Sequence, residues 1–167
     1  MHYTIGAIVY ADSREDVENL AGDVFEKLVG DAGPFDYFTI FKDGISRASS
    51  KKGTKDVKML MDFNREEFID NLGKLRTALG QMTDEAAFSR HGEFDVRYMA
   101  YQIGKYVGGG IYLYDSDGGG IRTPEDLQRA LTKKDHQEPK GVFDWFPGDA
   151  EPTVASDAWI VLADAHS

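Results

Sequence analysis

The chain has 167 residues, with 19 Lys and Arg against 29 Asp and Glu, for a formal charge of −10 at pH 7. Apolar residues make up 41 % of it and aromatic residues 12 %, enough to build a core and too much for a disordered segment. The absence of cysteine excludes disulfides, thiolate metal sites and cysteine nucleophiles, and the acidic balance argues against direct binding to nucleic acid.

Residues 3–10 predict a strand apolar on both faces, as in the middle of a covered sheet. Ser13 caps a helix with Asp16 in the capping-box position, and Val17, Leu20, Ala21, Val24, Phe25 and Leu28 keep helical spacing until Gly30. Residues 35–41 predict a second strand, and Asp43-Gly44 a hairpin turn into a short return strand from Ile45. Residues 49–55 read as a polar loop. Val57, Met59, Met61 and Phe63 alternate with Lys58 and Asp62, which predicts a strand with one apolar face. Asn64 then caps a helix striped by Phe68, Ile69, Leu72, Leu75 and Leu79 and stopped by Gly80.

Residues 83–92 suit either a short helix or a loop, and 95–106 predict a helix ahead of the Gly108-Gly109-Gly110 break. Residues 111–115 form a strand, 116–119 a turn, and Ile121 and Arg122 the return arm. Thr123 caps a short helix, with Pro124 in its first turn and Glu125 and Asp126 at the positive end of the dipole. Residues 135–157 are an irregular excursion rich in Pro and aromatics, with a short strand at 142–146. Residues 158–163 close the chain as an apolar strand. The pattern predicts one α+β domain over residues 1–167. Its form is a sandwich with a mostly antiparallel sheet, ferredoxin-like or otherwise a split βαβ around the first helix, with the first and last strands near the centre.

The opening residues lack the basic start of a signal peptide, and no apolar run approaches the ~20 residues that span a bilayer. The expectation is a cytoplasmic protein that makes no membrane contact. Phosphate-loop, dinucleotide, H-E-x-x-H and G-x-S-x-G signatures are all absent. Gly118-Gly119-Gly120 follows Asp115 and Asp117 with no basic residue ahead, which reads as a glycine turn rather than a phosphate cradle. Asp115-Ser116-Asp117-Gly118 also looks like the opening of a calcium loop, without the late bidentate Glu.

Asp164 and His166 are two apart, so on a continuing strand they share a face. A carboxylate beside an imidazole orients a general base or joins a metal site; the competing reading lets the last residues fray into solvent. His91, with Asp95 and Arg97, and His136 read as solvated, and His2 says little alone. Tyr98, Tyr101, Tyr112 and Tyr114, with Gly109, Gly119, Arg122 and Trp145, are candidates for a stacking pocket. Core packing is the alternative for the tyrosines. Phe143, Trp145 and Phe146 are expected to fold back as a lid bordering that pocket.

Two segments, Phe35-Asp36-Tyr37-Phe38-Thr39-Ile40 and the terminal Trp159 to His166, resemble segments of small uncharacterised proteins from phages and actinobacteria. Those proteins carry F-D-Y-Y early and end in an apolar strand followed by D-x-H. Their usual G-G-R-W is replaced here by Phe41-Lys42-Asp43-Gly44. The resemblance implies a phage-like context, and hence a host cytoplasm, but brings no activity with it.

Three readings follow. The first is a small acidic binding protein that sequesters a nucleotide-like ligand or blocks a host protein, its charge allowing mimicry of nucleic acid. The second is a hydrolase in which Asp164 and His166, with Asp115 and Asp117, surround one divalent ion. The third is a homo-oligomeric structural protein of the virion, joined through strand edges. No cofactor is identified by any motif.

Overall fold

Residues 1–31, 33–88, 101, 103, 110–132 and 154–167 are described by the computed structural model. They form an α+β fold in two compact units, Met1–Asp62 with Ile111–Ser167, and Phe63–Gly110. The first unit is built on four strands: β1 (His2–Tyr10), β2 (Tyr37–Arg47), β3 (Leu113–Tyr114) and β4 (Ala158–His166). Their order is β2-β4-β1-β3. The two strands whose sequences are apolar on both faces, β1 and β4, occupy the centre and pair antiparallel from His2↔His166 to Tyr10↔Ala158. β2 lies antiparallel to β4 on its other side, and β3 runs parallel to β1. β1 and β2 therefore point the same way with β4 between them. With α1 (Arg14–Glu26) as the crossover, this is the expected split βαβ.

Each face of the sheet has its own core. Ile5, Ala7 and Val9 pack with Val161, Ala163 and Ala165 against Val17, Ala21, Val24 and Phe25 of α1. On the opposite face, Ile8, Ile160 and Leu162 meet Val57, Leu60 and Met61 of α2 (Lys51–Gln81) and Leu127 and Leu131 of α4 (Pro124–Thr132). Both short helices start as their sequences require. The Asp16 N–H donates to Ser13 Oγ at 3.3 Å, and the Asp126 N–H to Thr123 Oγ1 at 3.1 Å.

Predicted features are replaced in two regions. The Asp43-Gly44 hairpin does not form; β2 runs through it as one strand, with a register irregularity between Ile40 and Ile45. Gly44 is needed there for close approach, since a Cβ on it would stand 2.8 Å from the Leu162 carbonyl oxygen. Residues 51–55 of the predicted polar loop, the strand at 57–63 and the Asn64 cap all dissolve into α2. Its true N-cap is Ser50, whose Oγ accepts from the Gly53 N–H at 3.0 Å. Val57, Leu60, Met61 and Asn64 are all buried on one helical stripe, while Phe63, which alternation would have buried, is 40 % exposed.

The second unit holds the rest of α2 and the short α3 (Asp84–Phe88), which makes 84–88 of the predicted 83–92 stretch a helix; residues 89–92 lie outside the described residues. Here Asn71 and Leu75 are buried, whereas Phe68, Ile69, Leu79 and Phe88 are exposed. Tyr101 and Ile103 are helical, within the predicted 95–106 helix, whose other positions lie outside the described residues. So do the His91 and His136 clusters, the 142–146 strand and its aromatic lid. Among the described residues no helix is long and apolar enough to cross a membrane.

Candidate functional site: paired imidazoles at one end of the sheet

β4 does not fray after Ala163. It stays in register through His166, because β1 and β2 hold it from both sides. Period-two alternation then does the placing. His2, His166 and Tyr37 stand in one cross-strand row, and Thr4, Asp164 and Thr39 in the next, all on one sheet face. Asp36 immediately precedes β2, where its N–H donates to the His166 carbonyl at 2.7 Å.

Two imidazole–carboxylate pairs result. His2 Nδ1 lies 2.8 Å from Asp164 Oδ2, and His166 Nδ1 lies 3.1 Å from Asp36 Oδ2. The two rings meet edge to face with centres 5.1 Å apart, and the Tyr37 ring stacks on His166 at 5.1 Å and 5°. The Met1 ammonium stands 3.3 Å from His166 Nε2 and also donates to the Ser167 carbonyl. Ionised carboxylates only accept, so each Nδ1 carries the ring proton and donates it. In the neutral ring, Nε2 is then a lone pair. The ammonium, a donor only, faces His166 Nε2 consistently with that assignment. The side chains are partly wet: His2 is 62 % exposed and His166 33 %.

Asp164 and His166 thus share a face as expected, but each has a partner the sequence did not supply: His2 for one, Asp36 and Tyr37 for the other. Asp36 and His166, 130 positions apart, meet here. Asp115 and Asp117 do not join them. β3 places Leu113 beside Gly6 and then runs away from the Thr4–Asp164 level. The four residues from Thr4 to Ile8 alone put about 13 Å along the strand between the two carboxylate groups. Asp115 is occupied otherwise, with its Oδ1 accepting from the Asp117 N–H at 3.0 Å and the Gly119 N–H at 2.8 Å. This Asx turn is the glycine-turn reading, and it uses the carboxylate a calcium loop would need. Among the described residues no group of three or more His, Asp or Glu could hold a metal ion.

The aromatic and glycine candidates divide. Tyr114 is core: it is 5 % exposed, and its hydroxyl donates to the Ile111 carbonyl at 3.0 Å. Burial pushes its phenol up to about 12, against the opposing pull of the Arg122 guanidinium. Tyr112 packs half-buried against the α2-side core and beside Tyr3. Tyr101 is 66 % exposed. Gly119 belongs to the Asp115 turn and Arg122 is exposed. Tyr98, Gly109 and Trp145 lie outside the described residues.

The family model that matches the chain is described as a domain of unknown function, DUF7995, and the match covers residues 1–143. No curated protein and no solved structure matches the chain. The matched range takes in β1 through α4, including His2, Asp36 and Tyr37 of the site. Because that match extends over most of its length, the chain belongs to the DUF7995 family.

Proposed function

We propose that the chain is a binding protein that seats a small ligand on the imidazoles of His2 and His166. One observation carries the reading: two imidazole–carboxylate pairs, drawn from β1, β4 and the residue before β2, are gathered at one wet end of the sheet. Exposed pairs of this kind add only about 0–1 kcal/mol to stability, so cohesion gives no account of why side chains from separate segments converge. Orienting imidazoles for recognition or proton exchange does.

Asp36 and Asp164 make the seat acidic, and the chain carries −10 overall. A neutral or cationic ligand suits it better than a polyphosphate, which narrows the nucleotide-like expectation towards nucleobases and cations. In the phage-like context that the resemblance implies, the corresponding role is sequestration of a host small molecule. The test is a thermal-shift screen of the whole chain against divalent metals, nucleobases, nucleosides and polyamines, beside His2→Gln and His166→Gln. A ligand at ~100 times its dissociation constant adds ~2.7 kcal/mol. The expected result is a shift in the wild type that both variants lose; a shift they retain, or none at all, overturns the reading.

A further inference from the structure

We infer that two copies of the chain dimerise edge to edge through β2, so that the sheet continues across a twofold axis at Thr39. The partner is a second copy of this chain, and the pairing stands whether or not a ligand takes the imidazole seat.

The order β2-β4-β1-β3 leaves β2 as a long edge of 11 residues, against 2 in β3. Among the described residues β2 pairs with β4 alone. Edge strands are ordinarily blunted by charge, proline or brevity, yet Tyr37-Phe38-Thr39-Ile40-Phe41 carries neither charge nor proline. The run alternates cleanly. Phe38 and Ile40 pack partly buried on the α1-side core, while Tyr37, Thr39 and Phe41 are exposed. Charge returns only at its ends, with Asp36 before it and Lys42 and Asp43 after it. β2 keeps regular register with β4 from Tyr37 to Ile40, and the irregularity beyond bends the strand and limits how far a partner can pair.

This run is complementary to itself when reversed. An antiparallel pair of β2 strands centred on Thr39 sets Tyr37 opposite the partner's Phe41, Phe38 opposite the partner's Ile40 and Asp36 opposite the partner's Lys42. Each contact occurs twice. Residues directly opposite share a face, with Cβ atoms about 4.5–5.5 Å apart, so the exposed aromatics cover one another and the apolar pairs join the two α1-side cores. Asp36 has room for the ammonium: its side chain is 69 % exposed although Oδ2 pairs with His166 Nδ1. Neighbouring registers lose this match. A shift of one residue puts Tyr37 opposite the partner's Ile40, an exposed side chain beside a partly buried one. A shift of two puts Tyr37 opposite the partner's Asp43, or Ile40 opposite the partner's Asp36. The ion pairs thus choose the register, and the apolar pairs supply the affinity. The dimer also brings the partner's Phe41 against Tyr37, the ring that stacks on His166, and so adds a wall to the seat.

The test is sedimentation equilibrium of the full chain over a wide concentration range, with backbone amide exchange read at both ends of it. The wild type should be a dimer that dissociates on dilution, with amides of residues 37–41 gaining protection in the dimer. Thr39→Lys sets like charges opposite each other on the axis and should leave a monomer. Lys42→Glu sets like charges at both ends and should weaken the dimer tenfold or more; adding Asp36→Lys restores opposite charges and should recover it. The backbone spectrum confirms that each variant is folded. A wild type that stays monomeric at the millimolar concentrations of NMR overturns the inference, as does a double variant no tighter than Lys42→Glu. So does a dimer that Thr39→Lys and Lys42→Glu leave intact, which is the result expected if β4 strands are exchanged instead.

Discussion

β4 carries Trp159 near one end and His166 at the other, in one unbroken register with β1, yet the two ends are built on opposite terms. At the Trp159 end the contacts are closed and reach the backbone. The indole Nε1–H donates to the Ala11 carbonyl at 2.9 Å, and the ring is 8 % exposed. Arg47 lies over it at 4.1 Å and donates to the Ser156 carbonyl at 2.6 Å and the Asp12 carbonyl at 3.3 Å. At the His166 end the imidazoles bond to carboxylate side chains rather than to backbone, in partial contact with water. Backbone contacts of a buried aromatic tie chain segments together. Half-wet imidazole pairs orient rings and contribute little cohesion. One end holds the fold, and the other contributes little to holding it.

That contrast can be broken by measurement. Trp159→Ala should destabilise the protein by about 3–5 kcal/mol in urea unfolding; a loss below ~1 kcal/mol would erase the distinction. Tyr114 tests whether a buried hydroxyl behaves as core. Its pKa is raised from 10.0 to about 12, so the folded state holds the proton more tightly than the unfolded chain. The associated stability is complete below pH 10 and is lost as pH rises towards 12, by about 2–3 kcal/mol in denaturant melts. Tyr114→Phe should abolish that pH dependence.

Gly53 sits under the closed end, where an added Cβ would overlap the Arg47 carbonyl oxygen. Gly53→Ala should cost about 1–3 kcal/mol, whereas Gly22→Ala, in open space on α1, should gain up to ~1 kcal/mol. The smallest effect belongs to the open end. His2→Gln and His166→Gln should each change stability by less than about 1 kcal/mol, read from the same melts. A larger loss would make the cluster structural.

Where local chemistry decides, the sequence is legible. Ser13 and Thr123 announce α1 and α4, and the doubly apolar runs announce β1 and β4 as central strands. The first half of α2 was missed because Val57, Met59, Met61 and Phe63 satisfy a two-residue period, while Val57, Leu60, Met61 and Asn64 satisfy a helical one equally well. The discriminating signal was charge. Lys52–Asp56 and Lys58–Asp62 pair at 2.6 and 2.5 Å four residues apart, a spacing that only a helix uses. Asp43-Gly44 misled because a glycine that serves close approach to Leu162 looks the same in sequence as one that serves a turn. As for the site, Asp164 and His166 were visible as a two-residue repeat. His2, Asp36 and Tyr37 were not, because only the order β2-β4-β1 brings them opposite β4, and strand order is a long-range property.

That order also governs how the sheet assembles. β1 and β2 are parallel and leave a gap that β4 alone fills, through contacts such as His2–Asp164 across 162 positions and Trp159–Ala11 across 148. Loop closure at such separations is paid before any pairing returns it, which places refolding in the millisecond-to-second regime of high contact order. Until β4 arrives, two facing edges stand open with unpaired backbone groups. A neighbouring molecule's β4 fits the same gap in the same register. Refolding at high concentration is thus a contest between a chain's own last strand and its neighbour's, and strand-exchanged dimers are its natural by-product.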